Sequence, residues 1–146
     1  MLHHLNLYGW AGTAWCVPSA VAILTGAPVG HMHVRAAFIT NQKLKDVKCV
    51  FCDDALLMLR EQGYNAIPID MSSRWPEPPT IEEFFAERTN YEKAMPIMFA
   101  TDDHMMTCHY GFAADNWTAR PVPVADFPEL RRKVKFAWVV SKATTN

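Results

Sequence analysis

Residues 13–26 read TAWCVPSAVAILTG, and their pattern predicts the first helix of the fold. Apolar residues recur there at spacings of three and four, as they do on the buried face of a helix. Thr13 is suited to the N-cap, and Gly26 followed by Pro28 ends the helix. The apolar positions are Val17, Ala20, Val21 and Leu24. Cys16 therefore lies in or beside the first helical turn.

This position favours a nucleophilic thiol. The first turn of a helix presents unpaired N–H groups and a partial positive charge, which together favour the thiolate and lower the pKa of a cysteine. Cys16 is the candidate nucleophile, and a histidine from a later strand would complete a thiol hydrolase.

Composition is that of one ordinary folded domain. The chain has 146 residues, of which half are hydrophobic and 20% are charged, so we expect a single domain over residues 1–146. The net charge is −1, and the cluster around Arg131 is too small to predict a nucleic-acid surface. We expect no nucleic-acid partner and a monomer.

The N-terminal sequence favours a cytoplasmic protein. Residues 1–5 lack a charged region followed by an apolar stretch, and no apolar run approaches a membrane span. We therefore expect no membrane association. The four cysteines are expected to remain reduced thiols rather than form a disulfide framework.

Helical patterns come first and strand patterns follow. This order predicts an α+β domain in which N-terminal helices pack on one side of a C-terminal antiparallel β-sheet. Residues 71–79 are predicted as a loop, and Thr80 with Glu83 forms a capping box. The predicted helices are 13–25, 29–38, 55–62 and 80–88, and the extended segments are 64–70, 96–100, 104–109, 112–117 and 134–141.

Two histidines on one predicted strand could serve as the base. A thiol hydrolase needs a nucleophile, a base within hydrogen-bond reach, and a third group that orients the base. His104 lies where a loop enters the strand, a place open to a cleft, whereas His109 abuts the following turn.

The orienting group depends on the register of the hairpin. If the residues flanking a turn at 110–111 face each other, His104 falls opposite Trp117 and diagonal to Asp115 on the same face. A shift of one residue puts Asn116 opposite His104 instead. We expect Asp115 as the orienter and keep Asn116 as the alternative.

The order cysteine, histidine, aspartate resembles the papain-like cysteine peptidase superfamily. The chain is most similar to small papain-like proteins encoded by bacteriophages, which carry Cys-Val-(Pro/Ile)-x-Ala followed by Thr-Gly, and later His, Gly and Asp-x-Trp. The matching residues are 16–26, His104, Gly111 and 115–117.

This resemblance implies a papain-like α+β fold and a cysteine peptidase or amidase that cleaves an amide or isopeptide bond. It implies Cys16 as nucleophile, His104 as base and Asp115 as orienter, with no cofactor and no metal. The implied partner is a protein or peptide substrate, such as a host or phage protein, in the host cytoplasm if a phage encodes the chain.

One position departs from the papain pattern. Papain-type enzymes have a glutamine about six residues before the nucleophile that donates to the oxyanion, and Trp10 stands there instead. The oxyanion could be bound by the Cys16 N–H together with Thr13 or Asn6. Trp10 and Trp15 could wall a substrate cleft or pack beneath it. The alternative function is a catalytically silent binding module that occupies a host protein.

A second cysteine motif has to be weighed against metal binding. Cys49 and Cys52 form C-x-x-C, but a zinc site needs about four ligands, and only the distant Cys108 and His109 could complete it. We interpret the motif as two half-buried thiols before a helix.

Overall fold

The computed structural model describes residues 1–5, 15–44 and 52–144. Its elements follow the α+β order expected from the sequence. The helices are α1 (Cys16–Thr25), α2 (Val29–Thr40), α3 (Cys52–Glu61), α4 (Met71–Arg74), α5 (Ile81–Glu87) and α6 (Asn90–Ala94). The strands are β1 (Tyr64–Pro68), β2 (Ile97–Ala100), β3 (Met105–His109), β4 (Phe112–Ala114), β5 (Val122–Pro123) and β6 (Phe136–Lys142).

Helix α1 starts later than the sequence predicts. Its N-cap is Trp15 rather than Thr13, and the Trp15 side chain makes no capping hydrogen bond; Thr13 itself lies outside the described residues. Gly26 ends the helix with a φ of 79° and donates its N–H to Ala22 O. The predicted stop is confirmed, and Cys16 becomes the first helical residue.

The sheet has six strands in the order β1-β6-β2-β3-β4-β5, and its paired strands run antiparallel. Successive side chains of a strand point to opposite faces. Helices α1 to α3 cover one face, where they form a core with alternate sheet residues. The sheet residues of that core are Met98, Ala100, Met105, Ala114, Trp138 and Val140.

The opposite face is also covered, which the sequence prediction of helices on one side did not include. Helix α5 packs there with an aromatic cluster in which the rings of Phe85 and Phe99 meet edge to face at 5.5 Å. The sheet residues of this second core are Ile97, Phe99, Met106, Cys108, Ala113, Ala137 and Val139.

Two short helices occupy segments that were not predicted as helical. Residues 71–74, predicted as loop, form α4 because the Asp70 side chain accepts from Ser73 N at 3.3 Å. Helix α6 carries a complete capping box between Thr89 and Glu92. Along the part of the chain that the structure describes, no helix has the length and apolar character needed to span a membrane.

Candidate active site

Cys16 lies at the start of α1, half-buried at the edge of the core beneath the helices. Its thiol lies close enough to the His104 ring to help raise the pKa of that imidazole. The two residues are 88 positions apart in sequence, and the packing of α1 on β3 brings them together.

The β3–β4 hairpin has the register considered in the sequence analysis. His109 pairs with Phe112, and Thr107 pairs with Ala114. The strand β4 ends at Ala114 instead of continuing to Trp117, because the chain turns at Asp115. The turn still leaves Trp117 beside His104, with the two rings stacked at 4.0 Å and 12°.

Asp115 is the residue that meets the His104 ring. Its Oδ2 lies 2.9 Å from His104 Nε2, and both side chains are buried. Because Asp115 takes Nε2, Nδ1 is the ring nitrogen left for Cys16. The other carboxylate oxygen, Oδ1, accepts from the backbone N–H groups of Trp117 and Thr118 at 2.9 Å each.

These contacts set the charge of His104. Burial alone would lower its pKa, but the hydrogen bonds with Asp115 and with Cys16 favour the imidazolium and raise the pKa to about 9. The ring is therefore protonated at neutral pH and can act as a proton donor.

The turn before β3 is held by hydrogen bonds and an ion pair. Thr101 N donates to His104 O at 3.0 Å, and Thr101 Oγ1 donates to Asp103 at 3.3 Å. Asp103 also forms an ion pair with Arg132. These bonds fix the backbone from which the His104 side chain projects.

His109 faces away from this cluster. Its Nε2 lies 2.9 Å from Ala94 O, to which it donates, and burial lowers its pKa. The other described thiols are also in different surroundings: burial raises the pKa of Cys108 to about 12, and burial with the nearby Asp53 raises that of Cys52.

Several residues considered from the sequence cannot be placed. Asn6, Trp10, Thr13 and Cys49 lie outside the described residues. Trp15 is described and is 45% exposed beside Cys16. Within the ranges that the structure covers, no group of three His, Cys, Asp or Glu side chains could hold a metal ion.

His33 would be expected at the surface of its helix from the sequence, but it is buried. His33, on α2, accepts the backbone N–H of Trp15 at its Nε2, 2.9 Å away. No motif marks this contact, because its partner is a backbone group on another helix.

The similarity of this chain to known proteins is structural. No model of a known protein family matches it, and no curated protein does. Among solved structures, it is similar to a double glycine motif protease from an AMS/PCAT transporter in complex with the leader peptide. The TM-score is 0.48 at 14% identity, and the match covers 90% of this chain and 86% of that one.

Proposed function

We propose that the protein is a papain-like thiol hydrolase, a cysteine peptidase or amidase that acts on a protein or peptide. The observation that carries this proposal is that one His104 ring has Asp115 on its Nε2 and Cys16 beside it. The proposal includes a monomer in the cytoplasm, that of the host if a phage encodes the chain.

The contacts support a two-step acyl transfer. Because His104 is protonated at neutral pH, its Nδ1 already holds the proton that the Cys16 thiol gives up, and the thiolate attacks the carbonyl carbon. The imidazolium then donates that proton to the leaving amine as the C–N bond breaks, leaving a thioester on Cys16. His104 next takes a proton from water, the hydroxide attacks the thioester, and the returned proton regenerates the thiol. Asp115 holds the ring throughout.

The start of α1 supplies one donor for the oxyanion. The Cys16 N–H lies in the first turn and has no acceptor within the helix. Pro18 has no N–H, and Ser19 N already donates to Trp15 O at 3.1 Å. Of the two first-turn N–H groups that remain, that of Cys16 belongs to the nucleophile itself and is the donor we propose, with Asn6 or Thr13 as the second.

Two exposed indoles flank the reacting groups. Trp15 precedes the nucleophile and is 45% exposed, and Trp117 covers one face of His104 and is 57% exposed. Flat aromatic surfaces of this kind can pack against an extended peptide. We propose that they wall the substrate cleft.

A peptide library tests the proposal. Wild-type protein is incubated with a diverse mixture of peptides, and new termini are identified by mass spectrometry. We expect cleavage by the wild type and by Cys52→Ser, which removes a different thiol, and none by Cys16→Ala or His104→Gln. Cleavage that persists in Cys16→Ala would contradict the proposed nucleophile.

Thiol labelling provides a test that needs no substrate. Iodoacetamide at neutral pH should modify Cys16 much faster than Cys49, Cys52 or Cys108. Equal, slow labelling of all four cysteines would count against an activated nucleophile.

The exposed indoles also favour a second candidate function, a catalytically silent module that binds another protein. That function predicts a partner bound equally well by wild type and Cys16→Ala, with neither cleaving it. Loss of binding on Trp117→Ala, without any cleavage by the wild type, would favour this alternative.

A further inference from the structure

We propose that His33 is a positioning residue that fixes the backbone of Trp15 and thereby aims Cys16 at His104. The inference rests on the proposed function and deepens it, since it concerns the same site. It begins from a histidine on α2 that is only 1% exposed and yet contacts the residue before the nucleophile.

Both ring nitrogens of His33 have hydrogen-bond partners that fix its tautomer. Nδ1 lies 3.0 Å from Val29 O; a carbonyl can only accept, so Nδ1 carries the proton. Nε2 is then the unprotonated nitrogen, and it accepts the Trp15 N–H at 2.9 Å. The ring is a neutral bridge from α2 to the start of α1.

This bridge compensates for a missing cap. An N-cap side chain ordinarily secures the entry into a helix, but Trp15 makes no such hydrogen bond. Its backbone is held instead from the neighbouring helix, one residue before Cys16. The Trp15 N–H is thereby used, and the Cys16 N–H that follows it has no acceptor within the helix.

A buried histidine contributes less to folding stability than an apolar side chain would at the same position, so stability alone does not explain His33. A buried imidazole has to be hydrogen-bonded at both nitrogens, whereas an apolar side chain of similar size would fill the same space without that requirement. Catalysis, in contrast, is sensitive to the placement of the nucleophile, and a displacement of about 1 Å can cost about 100-fold in rate. The hydrogen bond from Trp15 N to His33 would limit such a displacement of Cys16.

Two substitutions separate positioning from packing. His33→Phe keeps the ring volume and removes the acceptor, whereas His33→Gln keeps an acceptor oxygen at about the reach of Nε2. We expect His33→Phe to lower kcat by about 10- to 100-fold with KM changed less than about twofold, and His33→Gln to recover most of the loss.

Met58→Ala is the matched control for lost stability, because Met58 is fully buried in the same hydrophobic core, on α3. All variants are assayed where circular dichroism shows them folded. The inference is overturned if His33→Phe keeps the wild-type kcat, if His33→Gln is as impaired as His33→Phe, or if Met58→Ala loses as much activity.

The alkylation rate of Cys16 separates this inference from the proposed function. If the wild type cleaves nothing, the proposed function fails, and the iodoacetamide rate is compared in the same variants. Slower alkylation in His33→Phe, restored in His33→Gln, upholds the positioning role. Equal rates in all variants overturn it.

Discussion

Asp115 uses its two carboxylate oxygens for different tasks. Oδ2 contacts His104, and Oδ1 accepts two backbone N–H groups of the turn that follows. Sequence could predict the first contact, because a two-residue hairpin turn fixes which residues stand near His104. It could not predict the second, since that bond follows from a turn that ends β4 at Ala114.

We predict that Asp115→Asn disables the site. The turn requires an oxygen at the Oδ1 position, so the amide nitrogen has to face His104 Nε2. An amide N–H₂ only donates, which moves the ring proton to Nδ1 and removes the acceptor for the Cys16 proton. We expect kcat to fall by about 10² to 10⁴-fold.

Asn116→Ala is the control for this prediction, because Asn116 is the neighbouring residue and the alternative orienter. Its kcat should stay within a few-fold of wild type. Steady-state kinetics on a peptide found by the library screen would check both variants. Wild-type activity in Asp115→Asn would mean that Asp115 does not select the ring tautomer.

Among the helices, those long enough to show a repeated apolar spacing could be predicted from the sequence. Helices α1 and α3 have apolar spacing over ten residues each, with a glycine near the end. Helices α4 and α6 have only four and five residues, too few for a 3.6-residue period to show. Only the Thr89 and Glu92 capping box could have indicated α6.

We predict that Gly63→Ala destabilises the junction of α3 and β1. Gly63 has a φ of 83°, and a Cβ there would meet nothing within 4 Å. The cost is therefore backbone strain without a clash, about 1–2 kcal/mol of unfolding free energy. Urea denaturation measures it.

Gly111→Ala is the matched control. Its Cβ also meets nothing within 4 Å, and its φ is not in the left-handed region. We expect it to remain near the wild-type stability. Equal losses in both variants would contradict the strain argument.

At the scale of the whole molecule, the sheet is buried on both faces. The residues of β2 show this, since all four are buried, and a continuous apolar strand of that kind indicates cover on both sides. The sequence predicts helices on one face only. The layer on the other face, which includes α5, also contains irregular segments around Phe127 and Val134, and these have no periodic pattern. The overall α+β order was still predictable.

We predict that stability falls between about pH 6.5 and pH 9 because of His104. Its pKa is raised to about 9 in the folded protein, so its contribution is complete below the unfolded value of about 6.5 and is lost as pH rises through 9. Because solvent near the site screens the charge of His104, we expect the free energy of unfolding to fall by only about 1–3 kcal/mol. Urea denaturation across this range measures it.

His104→Gln should flatten this part of the stability profile. His109→Gln is the control, because the lowered pKa of His109 affects stability only at more acidic pH, where the unfolded state takes up its proton first. An unchanged slope in His104→Gln would contradict the assignment.

Asp115 contacts His104 and also holds the turn after β4, and these two roles place different constraints on the evolution of the site. A related chain without the proposed activity would still need Asp115 for the turn after β4, so selection for folding alone would retain that residue. Cys16 contributes no such bond to the turn and is free to drift once chemistry is no longer required. Among related chains, the residue at position 16 would therefore report on the proposed activity, whereas an aspartate at position 115 would report only on the fold.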